Sequence, residues 1–415
     1  MRCSIVAPLL FALGETVAGC ATEGWDRNPD VGTDSGSLAD VGLAVSQSPS
    51  VTLRSALGEA ATPYSHVVGA TRLANGTYIV ADAGTSELLA YDPAGAFLRR
   101  IARRGKGPGE LERVTAVWRY EGDTLVAINA SPLGASRIAV FAPEGHWVRT
   151  WSPATPPGET IGVRVRVVAN DGHLFMTTGT PLRPAAAPVI DRELERGYWY
   201  DNGGRPGTLA GAFPGPLRYR SSGMKQALIP FSIGTQFATA NNELYASDPD
   251  SAVVRRYRRD GTLIAVIPLG ISADPVRPRD ARLARRQAHE AARRRFAPLR
   301  NRRIPQPLQE TIRDQIAAAD EIPIPQMFPV LERILVDPRG YLWAARFRRP
   351  DRLDPNVWWV FDGAGKRVGA LRLPDALTAL EIGDDYLIGL RRDLGGGESV
   401  EVYELSRTTP PGRDR

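Results

Sequence analysis

Chemistry in this chain has few places to start. The stretch ARRGKGPGELERV, residues 102–114, gathers Gly105, Lys106, Gly107 and Gly109 behind Arg103 and Arg104. Glycine loops with a lysine cradle phosphate when they read G-x-x-x-x-G-K-[ST] between a strand and a helix. Here the lysine lies between the glycines, Pro108 interrupts the run, and a β-pattern (LERVTAVWRY) follows. The stretch therefore predicts a sharp crossing between two strands, with Glu110 capping neighbouring backbone amides. The four histidines, His66, His146, His173 and His289, show no ligand spacing and read as solvated turn and helix residues. Asp82, Asn129 and Asp248 end equivalent apolar stretches. Such a ring of oxygens can hold a divalent metal such as calcium, or it can bond the amides of the turns that follow. No G-x-S-x-G is present, so no nucleophile motif marks an enzyme.

Cationic chemistry is concentrated in one place. Residues 277–303 hold eleven Arg against Asp280 and Glu290, a local charge of +9 in a chain whose net charge is +6. Arg286, Arg293, Arg294 and Arg295 are the candidates there for selecting an acidic ligand. Anionic lipid, polysaccharide or an acidic protein is a further partner for such a face. Nucleic acid is not expected, because aromatic residues are almost absent from the Arg run.

The N-terminus sets the compartment. Arg2 is a short positive region and Ile5–Leu13 a short apolar one, too short for a membrane span. Val17-Ala18-Gly19-Cys20 resembles the lipobox of bacterial lipoproteins. That resemblance implies acylation of Cys20 and a membrane-anchored, exported protein on the periplasmic or outer-membrane side of a bacterial envelope. The only other cysteine, Cys3, would leave with the signal peptide of residues 1–20. Residues 21–40, rich in Gly, Asp and Ser, would be the tether.

A repeat must position whatever site exists. A turn pair followed by an apolar strand recurs six times: NGTYIVAD, GDTLVAIN, DGHLFMTT, NNELYASD, RGYLWAAR and DDYLIGLR, aligned on Tyr78, Leu125, Leu174, Leu244, Leu342 and Leu387. Five copies are followed by an aromatic, turn residues and a glycine, as in YDPAGAF (91–97) and FAPEGHW (141–147). Each unit is a meander of three or four strands over about 50 residues, which cannot bury both faces alone. Stacking around an axis buries both, so the repeat predicts an all-β, six-bladed β-propeller over residues 41–405. The sixth unit lacks a fourth strand. Either VGLAV (41–45) or SVTLRSA (50–56) is expected to supply it and close the ring, with 406–415 a disordered tail. Residues 272–328 interrupt the repeat between blades four and five. ARLARRQAHEAARRRFAPL (281–299) and LQETIRDQIAAAD (308–320) predict a helical hairpin laid over one end.

The order of motifs in VVGATRLANGTYIVADAGTSELLAYDPAGAFLRRIARRGKGPGE (67–110) resembles the NHL-like six-bladed propellers of exported bacterial proteins. GYLWAARF (340–347) and RRDLGGGESVEVYEL (391–405) extend the likeness. The resemblance implies the fold, while the family's functions range from binding modules to lactonase-like and lyase enzymes with a channel-mouth metal. The reading is a monomeric, lipid-anchored ligand- or protein-binding module without a cofactor. Its alternative is a metal-dependent hydrolase or lyase of the lactonase-like type.

Overall fold

The computed structural model describes residues 42–55, 63–130, 136–159, 162–179, 187–220, 226–296, 321–349, 354–393 and 395–408, with single positions between 306 and 313. Two short strands, Gly42–Val45 (β1) and Val51–Leu53 (β2), come first. Blade one is Val67–Arg72 (β3), Tyr78–Asp82 (β4), Glu87–Tyr91 (β5) and Phe97–Ala102 (β6). Blade two is Val114–Tyr120 (β7), Thr124–Ala130 (β8), Ser136–Phe141 (β9) and Trp147–Trp151 (β10). Blade three is Val163–Val168 (β11), Leu174–Thr178 (β12), Val189–Tyr200 (β13) and Pro206–Arg220 (β14), with Gln226–Leu228 (β15) added outside. Blade four is Phe237–Ala240 (β16), Glu243–Ser247 (β17), Val253–Tyr257 (β18) and Leu263–Pro268 (β19). The helix Pro278–Phe296 (α1) follows it. Blade five is Leu331–Val336 (β20), Leu342–Arg346 (β21), Asn356–Phe361 (β22) and Arg367–Leu373 (β23). Blade six is Leu377–Ile382 (β24), Tyr386–Arg392 (β25) and Glu398–Thr408 (β26).

Every blade is an antiparallel meander, and the first strands of successive blades lie side by side around one axis, with β24 of the last against β3 of the first. The six blades anticipated from the repeat are present. The recurring motif forms the second strand of each blade, one position out from the axis. Its apolar residues face both neighbouring blades, so β4 and β5 are buried at every residue. The turn glycines that follow, Gly95, Gly145, Gly204, Gly261 and Gly365, all have φ between 82° and 90°. Other residues adopt that conformation only at a cost.

Both N-terminal segments, not one, pair with β26. Gly42 lies opposite Thr408 and Val45 opposite Leu405, while Val51 lies opposite Val402 and Leu53 opposite Val400. Strand β26 continues to Thr408, three residues into the stretch expected to be a disordered tail, because β1 gives those residues a partner. Leu53 is fully buried in a cluster with Tyr64, Val80, Leu89, Tyr91 and Val402.

Two features depart from a plain propeller, both on the side where chains cross between blades. Blade three extends β13 and β14 into a long hairpin, whose Arg192 reaches Asp250 of blade four at 2.6 Å. The insertion after β19 carries α1. It begins three residues before the expected 281, because Pro278 suits a first helical position and Asp280 bonds back to the Arg277 N–H at 3.0 Å. Ala288 of α1 packs against Tyr219, Ile229 and Ile322, which ties the insertion to the blade-three hairpin. The second expected helix, 308–320, lies largely outside the described residues, as does Cys20.

Candidate functional site

A cavity of about 390 Å³ runs along the axis, walled by the first strands of all six blades. Small and aliphatic residues such as Ala70, Val117, Ile334 and Ile382 line it, but most of the surface it exposes is polar. Arg166, Arg333 and Glu381 bring charge to it, and Trp118 and Phe237 bring aromatic surface.

Strand register orders these groups by depth. Arg333 pairs with Ala345 and Arg164 with Thr177, so both occupy the same rung near the crossing-loop end. Arg166 is bulged between Val165 and Val167, one step further in. Glu381 pairs with Ile388 and Trp118 with Val126, two rungs below Arg333. Two rungs are about 7 Å of strand. Blades two and five face each other across a six-fold ring, so Trp118 stands opposite Arg333. Blades three and six place Arg166 opposite Glu381.

The charges are not equally compensated. Arg166 bonds the Glu195 carboxylate on the hairpin strand β13 and the Thr177 hydroxyl (2.8 Å), and its guanidinium lies 5.9 Å from the Phe237 ring. Glu381 accepts the Tyr386 hydroxyl at 2.5 Å, and Arg72 stacks 4.8 Å over the Tyr386 ring. Burial first, and Glu381 next, push the Tyr386 phenol upward. Arg119 is held charged there: burial opposes its ionisation, but Glu381 and Tyr386 override it and raise its pKa. At this end the Glu381–Tyr386–Arg72 contacts join blade six to blade one.

Arg333 is different. It donates one hydrogen bond to the Ala379 carbonyl at 2.8 Å and has no ion pair with a carboxylate among the described residues. Glu332 tempers its charge but is itself paired with Arg348 at 3.3 Å. Desolvation by the channel wall pulls the Arg333 pKa below the usual guanidinium value. Arg164 is lowered in the same direction by burial and then by repulsion from Arg166.

The residues singled out by sequence are placed as follows. Asp82 is buried and accepts the His66 N–H at 3.0 Å and the Gly84 N–H at 2.9 Å. Asn129 accepts the Glu112 and Arg113 N–H groups at 2.9 and 3.1 Å. Asp248 accepts the Asp250 N–H at 2.9 Å and the Arg255 guanidinium at 2.6 Å. All three spend their oxygens on backbone amides of neighbouring loops. Among the described residues no three His, Cys, Asp or Glu come together, so this donor set does not fit a resident calcium ion. Arg286 and Arg293 are exposed on α1; the side chains of Arg294 and Arg295 lie outside the described residues.

The glycine loop closes on itself. Glu110 accepts the Gly107 N–H and the Arg103 guanidinium, each at 2.9 Å. Gly105 and Leu111 spend their N–H groups on the Leu111 and Arg103 carbonyls. A Cβ at Gly105 would fall 1.9 Å from the Glu110 carboxylate. The amides a phosphate would need are already used. What sequence missed is the channel trio Arg166, Arg333 and Glu381, which sit in first strands without a shared local motif.

The fold defines the class, a six-bladed β-propeller with an axial cavity. No protein-family model matches the chain, and no curated protein matches it. Among solved structures, a Bacteroides fragilis protein described as exported aligns over 88% of this chain and 96% of its own, at 11% identity and TM-score 0.47. A gluconolactonase from Xanthomonas campestris aligns over 88% and 100%, at 14% identity and TM-score 0.39. A virginiamycin B lyase from Staphylococcus aureus aligns over 88% and 99%, at 9% identity and TM-score 0.39.

Proposed function

We propose that this protein is a non-enzymatic, small-ligand-binding propeller of the NHL-like kind, lipid-anchored through Cys20 at a bacterial cell envelope. One observation carries the binding reading: polar and aromatic side chains from separate blades converge on a single axial cavity of about 390 Å³. Concave, mostly apolar sites with a few convergent polar groups are where small ligands bind. The blade-three hairpin and α1 lie on the crossing-loop side and serve as a cover. Arg286 and Arg293 on that cover add positive field for an acidic ligand. No described helix is long and apolar enough to cross a membrane, and an acyl chain would supply the attachment instead.

A library of small molecules of mixed charge, screened by melting temperature, tests the site. Stabilising compounds are expected, and filling the channel with Ala116→Trp should remove their effect. Hits indifferent to that substitution, or a library without hits, would overturn the reading. The anchor is tested separately: Cys20→Ala should release the protein from membranes, and continued membrane fractionation would refute it.

A further inference from the structure

The ionic groups of the channel leave a remainder of one sign. Arg166 is neutralised by Glu195, and Glu381 is enclosed by Tyr386 and Arg119. Arg333 remains on the cavity wall, with one described carbonyl taking one of its five N–H donors. Arg164, on the same rung of blade three, adds a second guanidinium without an ion pair among the described residues. Arg333 is half-buried and Arg164 exposed, so both guanidinium groups are open to an anionic partner. A carboxylate meets a guanidinium with two parallel charge-assisted bonds.

We propose that the channel takes an organic carboxylate, its anionic group on Arg333 and its apolar body along Trp118 and Phe237. This rests on the channel being the ligand site. The depth order fits such a ligand: Arg333, without an ion pair among the described residues, is near the crossing-loop end, and Trp118 lies about two rungs inward on the facing blade. Deeper along the wall sits the Glu381 carboxylate, engaged by Tyr386, and it repels an anion. Arg164, exposed on the same rung of blade three, adds positive field toward that end.

Trp118 provides the readout, its emission isolated as the difference between the protein and Trp118→Phe. Neutral acrylamide and anionic iodide are the quenchers. Iodide should quench Trp118 more strongly than acrylamide does, relative to free tryptophan. Arg333→Gln should lower the iodide constant about threefold or more and leave the acrylamide constant unchanged. Arg333→Lys, which keeps the charge but not the planar fork, should retain part of the effect. Benzoate should protect Trp118 from iodide, and benzamide should not. An iodide constant equal in Arg333→Gln and the parent overturns the Arg333 assignment. Equal protection by benzoate and benzamide overturns the carboxylate class while leaving the channel as the ligand site. Acrylamide failing to reach Trp118 shows a closed channel and removes the binding reading itself.

Discussion

The buried carboxylate of Glu398, at the start of β26, accepts the N–H of Val67, the first residue of β3, at 2.5 Å. Its other oxygen accepts Arg392 Nε at 2.7 Å, and its backbone pairs with Tyr64. The last blade is thereby fastened to the first through one side chain. The same station in blade one is served by Ser86, whose hydroxyl accepts the Val114 N–H at 3.0 Å and donates to the Leu111 carbonyl.

Glu398→Ala should destabilise the fold by about 2–3 kcal/mol, since it leaves a buried N–H and a guanidinium unmatched. Glu398→Gln, whose amide oxygen still accepts from Val67, should cost less. Urea denaturation of the two variants measures the difference. Equal loss would place the effect in the Arg392 pair alone.

The pairing of β1 and β2 with β26 predicts a cooperative loss. Leu53→Ala should cost about 3 kcal/mol, because the side chain is fully buried between blades one and six. Deleting residues 38–56 should abolish the folding transition seen in thermal melts. A truncated protein that melts like the full chain would show that β26 needs no partner.

The inter-blade loop depends on Gly109, where φ is 73° and an added Cβ would lie 3.0 Å from Trp147 Cβ. Gly109→Ala should cost about 1–2 kcal/mol in denaturant unfolding. Inorganic phosphate should not raise the melting temperature of the parent protein through this loop. A phosphate-dependent rise lost in Gly109→Ala would contradict the self-closed loop.

Acid should weaken the fold in a defined window. Burial opposes ionisation of Asp354, but the Arg349 guanidinium and N–H override it and lower its pKa below 3.8. Asp248, paired with Arg255, and Asp171, paired with Arg259, shift the same way. A depressed carboxylate contributes stability that is full above the unfolded value, near 3.8. That stability is lost as pH falls through the lower folded value, because the unfolded chain then binds more protons. Melting temperature should therefore drop below about pH 4, and Asp354→Asn should flatten the drop. An unchanged slope in Asp354→Asn would assign the acid sensitivity elsewhere.

What the sequence disclosed was local. A glycine turn such as Gly95 and the apolar second strand beside it are set by a few adjacent residues, so the six repeats could be counted. Glu110 as a loop cap was readable for the same reason. The blade-three hairpin was not, because Pro214 and Gly215 look like a break in the chain. In the fold the Pro214 region lies opposite a register shift between Arg192 and Leu194, where a proline is tolerated. Arg333 was hidden for a different reason. Its significance comes from having no carboxylate partner among the described residues, and that depends on the register of several blades at once.

The direction of β26 decides how the molecule would face its surroundings. It starts at Glu398, beside the crossing loops, and ends at Thr408, which pairs with Gly42 on the opposite face, where Arg407 bonds the Asp384 carbonyl. The chain thus enters the ring on the face away from α1 and the blade-three hairpin. Twenty-one residues lie between Cys20 and Gly42, enough to span at most about 75 Å. A propeller attached at Cys20 would be held from the face opposite α1, which leaves the arginine-bearing end clear of the attachment point.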